Sequence, residues 1–140
     1  MIVIGKSYLK YIRLSPKKAK LVADAIRGKS VYEVKNILKF IRKRAAVWFS
    51  KALSGAIASY KEKTGNSDID ESNILVYTEV KQGPTWRILK PAIKPMRFGG
   101  YSTFKRRTSH ILLEVVEIKD WQDYIKKRNL PYSKRREVIR

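Results

Sequence analysis

Two runs of alternating apolar residues, NILVYTEV (73–80) and SHILLEVV (109–116), each have the period of a half-buried β-strand. Strands this regular are commonly joined by two to five turn residues. Here residues 81–108 stand between them. That interval carries Gly83, Gly99 and Gly100 and Pro84, Pro91 and Pro95, and from Glu79 to Glu114 the chain has no acid between. Its cations are Lys81, Arg87, Lys90, Lys94, Arg97, Lys105, Arg106 and Arg107. A ribbon of two strands is marginal in water. The large apolar residues on this one (Trp86, Ile88, Leu89, Ile93, Met96, Phe98 and Tyr101) have no core of their own to enter. The chain therefore folds around a strand pair that continues into a long arm, and the arm is ordered by its surroundings: phosphates against the cations, bases or apolar partners against the aromatics.

Upstream, YLKYIRL (8–14) alternates as a short strand, and SPKKAKLVADAIRG (15–28) has the marks of a helix. Ser15 is placed to cap it, Pro16 suits the first helical position and Gly28 the left-handed stop. Ala19, Val22, Ala23 and Ile26 share one face. A second helix starts at SVYE, where Ser30 and Glu33 have capping-box spacing, with Val34, Leu38 and Ile41 as its stripe. After the basic hinge RKR (42–44) comes the longest helical pattern, whose face is Ala45, Phe49, Ala52, Leu53, Ala56 and Tyr60. Its Ala, Ser and Gly content predicts close packing, although Gly55 weakens helicity by roughly 1 kcal/mol. Trp48 and Phe49 fall in this pattern and read as core. The order strand, three helices, strand, strand predicts an α+β fold: a three-helix layer on a small antiparallel three-stranded sheet, with a long protruding β-hairpin and a basic C-terminal tail. Residues 1–118 read as one domain that includes the extended hairpin 83–107. Residues 119–140 read as a basic C-terminal extension, with a short helix before Pro131.

A net charge of +20 in 140 residues repels itself and calls for a polyanion. The first 44 residues hold thirteen basic and two acidic side chains, whereas 45–80 hold three basic and five acidic ones. The cations are thus concentrated on one helix-and-strand edge, the hairpin and the tail. A solvated surface normally mixes signs. Nucleic acid fits this distribution better than a membrane surface, and no apolar run reaches the length of a membrane span. The absence of cysteine excludes disulfides, zinc knuckles and thiolate chemistry. No secretory signal or transit peptide is evident at the start. His110 is the one histidine, so a metal site is not expected, and it reads as an RNA-facing or hydrogen-bonded residue. Asp68, Asp70 and Glu71 lack the spacing of a calcium loop. Ser7, Ser15 and Ser109 have no base-and-acid set to activate them. An enzyme is not expected, and no cofactor.

YIRLSPKKAKLVADAIRGKS (11–30), RAA (44–46), GPT (83–85) and KRRTSH (105–110) occur in order, and together they resemble the large-subunit ribosomal protein family L-twenty-two over about residues 8–117. The resemblance implies an α+β domain near the mouth of the peptide tunnel and a long hairpin reaching into large-subunit ribosomal RNA. It also implies a role in assembly, and a hairpin tip that lines the nascent-peptide exit tunnel beside the L-four family. Arg13, Ser15, Pro16, Lys17, Lys18, Ala19, Arg27, Gly28 and Lys29 match the first motif. Arg44 matches the start of the long helix, Gly83 and Pro84 the opening of the hairpin, Pro91 its ascending arm and Lys105 to His110 its descending arm. The tip departs from the family's compact P-R-A-R-G-R-A, being longer and less basic. The expected RNA-binding residues are Arg13, Lys17, Lys18, Lys20, Arg27, Lys29, Arg44, Lys81, Arg87, Lys90, Lys105, Arg106, Arg107 and His110. The expected tunnel-lining tip is Ala92, Ile93, Lys94, Pro95, Met96, Arg97, Phe98, Gly99, Gly100 and Tyr101. Trp86 and Phe104 either stack across the ribbon or on RNA bases.

The expected function is therefore that of a structural RNA-binding protein of the large subunit, a monomer within the ribosome of a bacterium or an organelle, with ribosomal RNA, neighbouring proteins and the nascent polypeptide as partners. The competing expectation is a free-standing basic RNA chaperone or architectural nucleic-acid binder, which would not require these motifs in this order.

Overall fold

The computed structural model describes residues 2–66, 68–91 and 101–129, with the backbone alone for 88–91 and 101–104. The elements run β1 (Gly5–Ile12), α1 (Pro16–Ile26), α2 (Val31–Phe40), α3 (Arg44–Thr64), β2 (Ile74–Pro91), β3 (Tyr101–Glu117) and α4 (Trp121–Asn129). Short 3-10 turns precede β2 and follow β3.

Local signals mark several of the helix ends. Pro16 opens α1, and Gly28, at φ 75°, turns the chain after it. Ser15 occupies the cap position, but its side chain makes no cap bond, contrary to the sequence expectation. At α2 the Ser30 hydroxyl accepts from the Glu33 backbone N–H as the capping-box spacing predicts. Gly65, at φ 69°, stops α3. The buried residues of α1 are Ala19, Val22, Ala23 and Ile26, and α3 buries its predicted face with Ala46 added. Phe49 is fully buried, and Trp48 packs half-buried against the core.

The sheet is antiparallel in the order β1-β3-β2. β1 begins earlier than the alternation suggested, because Gly5 through Leu9 pair without a break with Val115 through Ile111. One sheet face carries Ile111, Leu113, Val115 and Val76 into the helix layer. The predicted α+β layering is observed. α3 crosses β1 closely where side chains are small: Gly5 lies under Ala56 and Tyr60, and Gly55 over Ser7.

The opposite face, with Tyr77 and Glu79 on β2 and Leu112 and Glu114 on β3, receives α4. β2 and β3 continue past the sheet as a regular ribbon, paired from Thr85–Arg107 to Pro91–Tyr101. The predicted tip, residues 92–100, lies outside the described residues. No helix among the described residues is long and apolar enough to cross a membrane.

Candidate nucleic-acid interface

β1 ends at Ile12 while its neighbour β3 continues, so the sheet narrows from three strands to two at Thr108–His110. Both partners of β3 bulge there: the register slips between Leu9 and Ile12 on β1 and between Gln82 and Thr85 on β2. Paired bulges strengthen the local twist and re-aim the strands. The motif residues hold them. Thr108 Oγ1 donates to the Pro84 carbonyl at 2.7 Å. His110 Nδ1 accepts the Tyr11 backbone N–H at 3.0 Å. Gly83 sits so close that a Cβ there would lie 2.5 Å from Thr108 Oγ1 and 3.2 Å from His110 Nε2. Tyr11 has φ 55°, a left-handed conformation that costs a non-glycine residue about 1–3 kcal/mol and that the bond to His110 helps to hold.

Beside this root lies an open cleft of about 460 Å³, lined by Pro16 and Lys17 of α1, Gln82, Thr85 and Arg87 of β2, and Lys105 and Arg107 of β3. Its four cations are exposed, and among the described residues none has an acidic partner. The amino end of α1 contributes the positive end of its dipole, with no acid in the first turn. Cations this close repel one another unless an anion lies between them. The arrangement suits a phosphate backbone running along the ribbon root.

The predicted residues divide by place. Lys17, Arg87, Lys105 and Arg107 meet in the cleft. Arg13, Lys18, Lys20, Lys29, Arg44 and Arg106 are exposed outside its lining, Arg106 opposite the exposed Trp86. Lys81 is 3.7 Å from Glu79. Arg27 is occupied within the fold: its Nε donates to the Thr78 carbonyl at 3.1 Å and its Nη1 pairs with Asp24 at 3.1 Å. His110 is half-buried at the root. The side chains of Lys90, Tyr101 and Phe104, and all of Ala92 to Gly100, lie outside the described residues. Gln82 was not singled out from sequence and Thr85 entered only as the end of the GPT motif, because an uncharged residue adds nothing to a charge pattern.

The family described as Ribosomal protein L22p/L17e matches residues 7–116. Proteins named Large ribosomal subunit protein uL22 are similar over most of their length. The one from Maridesulfovibrio salexigens is 39% identical over 114 residues, 81% of this chain and 98% of the relative. That from Fusobacterium nucleatum is 41% identical over 114 residues, 81% of this chain and 96% of the relative. That from Carboxydothermus hydrogenoformans is 38% identical over 117 residues, 83% and 97% of the two chains.

The chain belongs to the ribosomal protein L22p/L17e family. It is a family of structural proteins, not enzymes.

The L22p/L17e match ends at residue 116, so α4 lies beyond it. α4 is nevertheless fastened to the matched region. Arg128 reaches Glu114 through Nη1 at 2.5 Å and Glu79 through Nη2 at 2.7 Å, and its guanidinium lies 4.1 Å over the Tyr77 ring. The Tyr124 phenol donates to Glu114, which also has Lys6 at 3.3 Å. Burial is the largest single influence on Arg128 and would lower its pKa, but Glu114, Tyr124 and Tyr77 together outweigh it and the net direction is upward. Burial, then the bond to Glu114, pushes the Tyr124 phenol well above its ordinary range. Glu114 is thus a buried carboxylate satisfied from three sides, as a buried charge requires.

Proposed function

We propose that this chain is a structural constituent of the large ribosomal subunit that binds large-subunit ribosomal RNA through the ribbon and its root. The observation that carries the reading is the acid-free cleft of Lys17, Arg87, Lys105 and Arg107 at the base of a ribbon whose remaining charges are also cationic, in a member of this family. Phosphates settle between such cations, and each one neutralised releases counterions from the RNA. The ribbon then extends along packed RNA and supports its assembly. Its tip, Ala92 to Tyr101, lines the nascent-peptide tunnel beside the L-four protein, where it meets the nascent polypeptide. Residues 1–118 serve as the anchored domain, a monomer within the particle, and 119–140 as a basic extension. The relatives named above are bacterial, which favours the cytoplasmic ribosome of a bacterium over that of an organelle.

Sedimentation of native extract after a high-salt wash tests this. Stoichiometric retention of the chain with the large subunit is expected. Its release to the top of the gradient overturns the ribosomal reading in favour of a free RNA chaperone.

A further inference from the structure

Tyr8, Tyr11 and His110 form an aromatic group at the ribbon root, farther along the sheet face that receives α4. The Tyr11 and His110 rings meet edge to face at 4.9 Å, and Tyr8 lies tilted 6.1 Å from the same imidazole. In a regular strand residues 8 and 11 point to opposite faces. The bulge after Leu9 and the positive φ of Tyr11 bring both rings to His110. Bulges and backbone strain of this kind concentrate where a side chain is aimed for function.

Neither ring is used by the core: Tyr8 is 43% exposed and Tyr11 62%. The bond that holds the bulge uses the backbone N–H of residue 11, not its phenol. Gly or Asn would occupy this left-handed position with less strain, so the aromatic ring is not explained by the fold. The surroundings are cationic. Lys10 Nζ stands 5.4 Å over the Tyr8 ring, Lys81 pairs across the strands with His110, and exposed Arg13 follows two residues after Tyr11. Lys81 shares its charge with Glu79, whereas Lys10 and Arg13 have no acidic partner among the described residues.

We infer that Tyr8 and Tyr11 stack an unpaired nucleobase of the bound RNA, with Lys10 and Arg13 on its flanking phosphates; this rests on the RNA-binding reading above. An exposed aromatic face ringed by cations matches a ligand that carries a π-face and an anion on one short link. A base inside a duplex keeps its faces covered by its neighbours, so the ligand is a single-stranded or bulged nucleotide.

The test uses the full chain and large-subunit RNA purified from the same cells, with affinity measured across a salt series. Tyr8→Thr with Tyr11→Asn removes both rings while keeping a strand former at 8 and a residue tolerant of the left-handed region at 11. This double variant is expected to melt within a few degrees of the parent, to bind about 5- to 150-fold more weakly for one stacked base, and to keep the parent's salt slope, since phosphate contacts are untouched. Tyr8→Phe with Tyr11→Phe is expected to bind like the parent. Equal affinity of the Thr/Asn variant overturns the stacking site while RNA binding stands, and leaves a protein neighbour as the occupant. A loss with a flattened salt slope also overturns it, because phosphate contacts have then gone. If the parent chain has no affinity for the RNA, the RNA-binding reading falls and this site with it. Ultraviolet cross-linking of the unmodified chain needs no variant: a nucleotide adduct on Tyr8 or Tyr11 is expected, and adducts confined to other peptides count against the site.

Discussion

Gly5 shows how one absent side chain sets how closely α3 rests on the sheet. A Cβ there would lie 2.4 Å from the Ala56 carbonyl oxygen, 2.5 Å from Tyr60 Cβ and 2.6 Å from Val115 Cγ2. Two of these are backbone or Cβ atoms that cannot rotate away, so α3 rests on β1 only because residue 5 has no side chain. Gly5→Ala is expected to destabilise the domain by about 1–3 kcal/mol as overpacking does, lowering the melting temperature by on the order of 5–10 °C. A thermal scan of the variant checks this, and an unchanged midpoint would show that α3 can lift without cost. The stretch MIVIGKS offers no hint of this duty, since the partners of Gly5 are more than fifty residues away. His110 is a similar case. Its motif was legible, but its bond to Tyr11 depends on a bulge that alternation does not reveal.

Among the elements, α1 to α3 were readable because local rules and tertiary packing agree. The 3.6-residue stripes of α1 and α3 are the faces that the sheet buries. α4 is different. Its attachment depends on Tyr124 and Arg128 meeting Glu114 and Glu79 of two different strands, and no periodicity signals that. It also makes stability sensitive to alkali. Burial and then hydrogen bonds to Glu114 and Glu117 raise the pKa of Tyr124 and Tyr60, whereas in the unfolded chain both phenols ionise near 10.0. The unfolded state therefore loses protons that the folded state keeps. The stabilisation is complete below about pH 10 and is lost progressively as the pH rises above it. Melting temperatures stepped from about pH 9 to about pH 11 are expected to fall, and less steeply in Tyr124→Phe than in the parent. Parallel curves for the two proteins would contradict the assignment.

For the whole molecule the governing quantity is the net charge of +20 and its placement. The helices and sheet core lie entirely outside the tip, so removing residues 92–101 is expected to leave helical circular dichroism unchanged and RNA binding intact. If about eight phosphates are neutralised, log affinity is expected to fall with log salt at a slope near −6 to −7, and the shortened chain keeps most of it because the cleft cations remain. Loss of the helical signal would show that the arm takes part in folding, and a flat salt response would remove the electrostatic basis of the reading.

The sequence by itself determined the α+β class, the helix faces, the long basic hairpin and the family, because periodicity, caps, turn residues and motif order are written over short spans or as charge. Only the tertiary structure decided which cations meet in one cleft, that Arg27 serves the fold, that two bulges face each other at the ribbon root, and that α4 fastens to the second sheet face. The physical reason is range. Helix stripes and charge runs are properties of neighbours along the chain, whereas a cleft, a paired bulge or a buried carboxylate depends on the register between strands, where a slip of one residue sends a side chain to the other face.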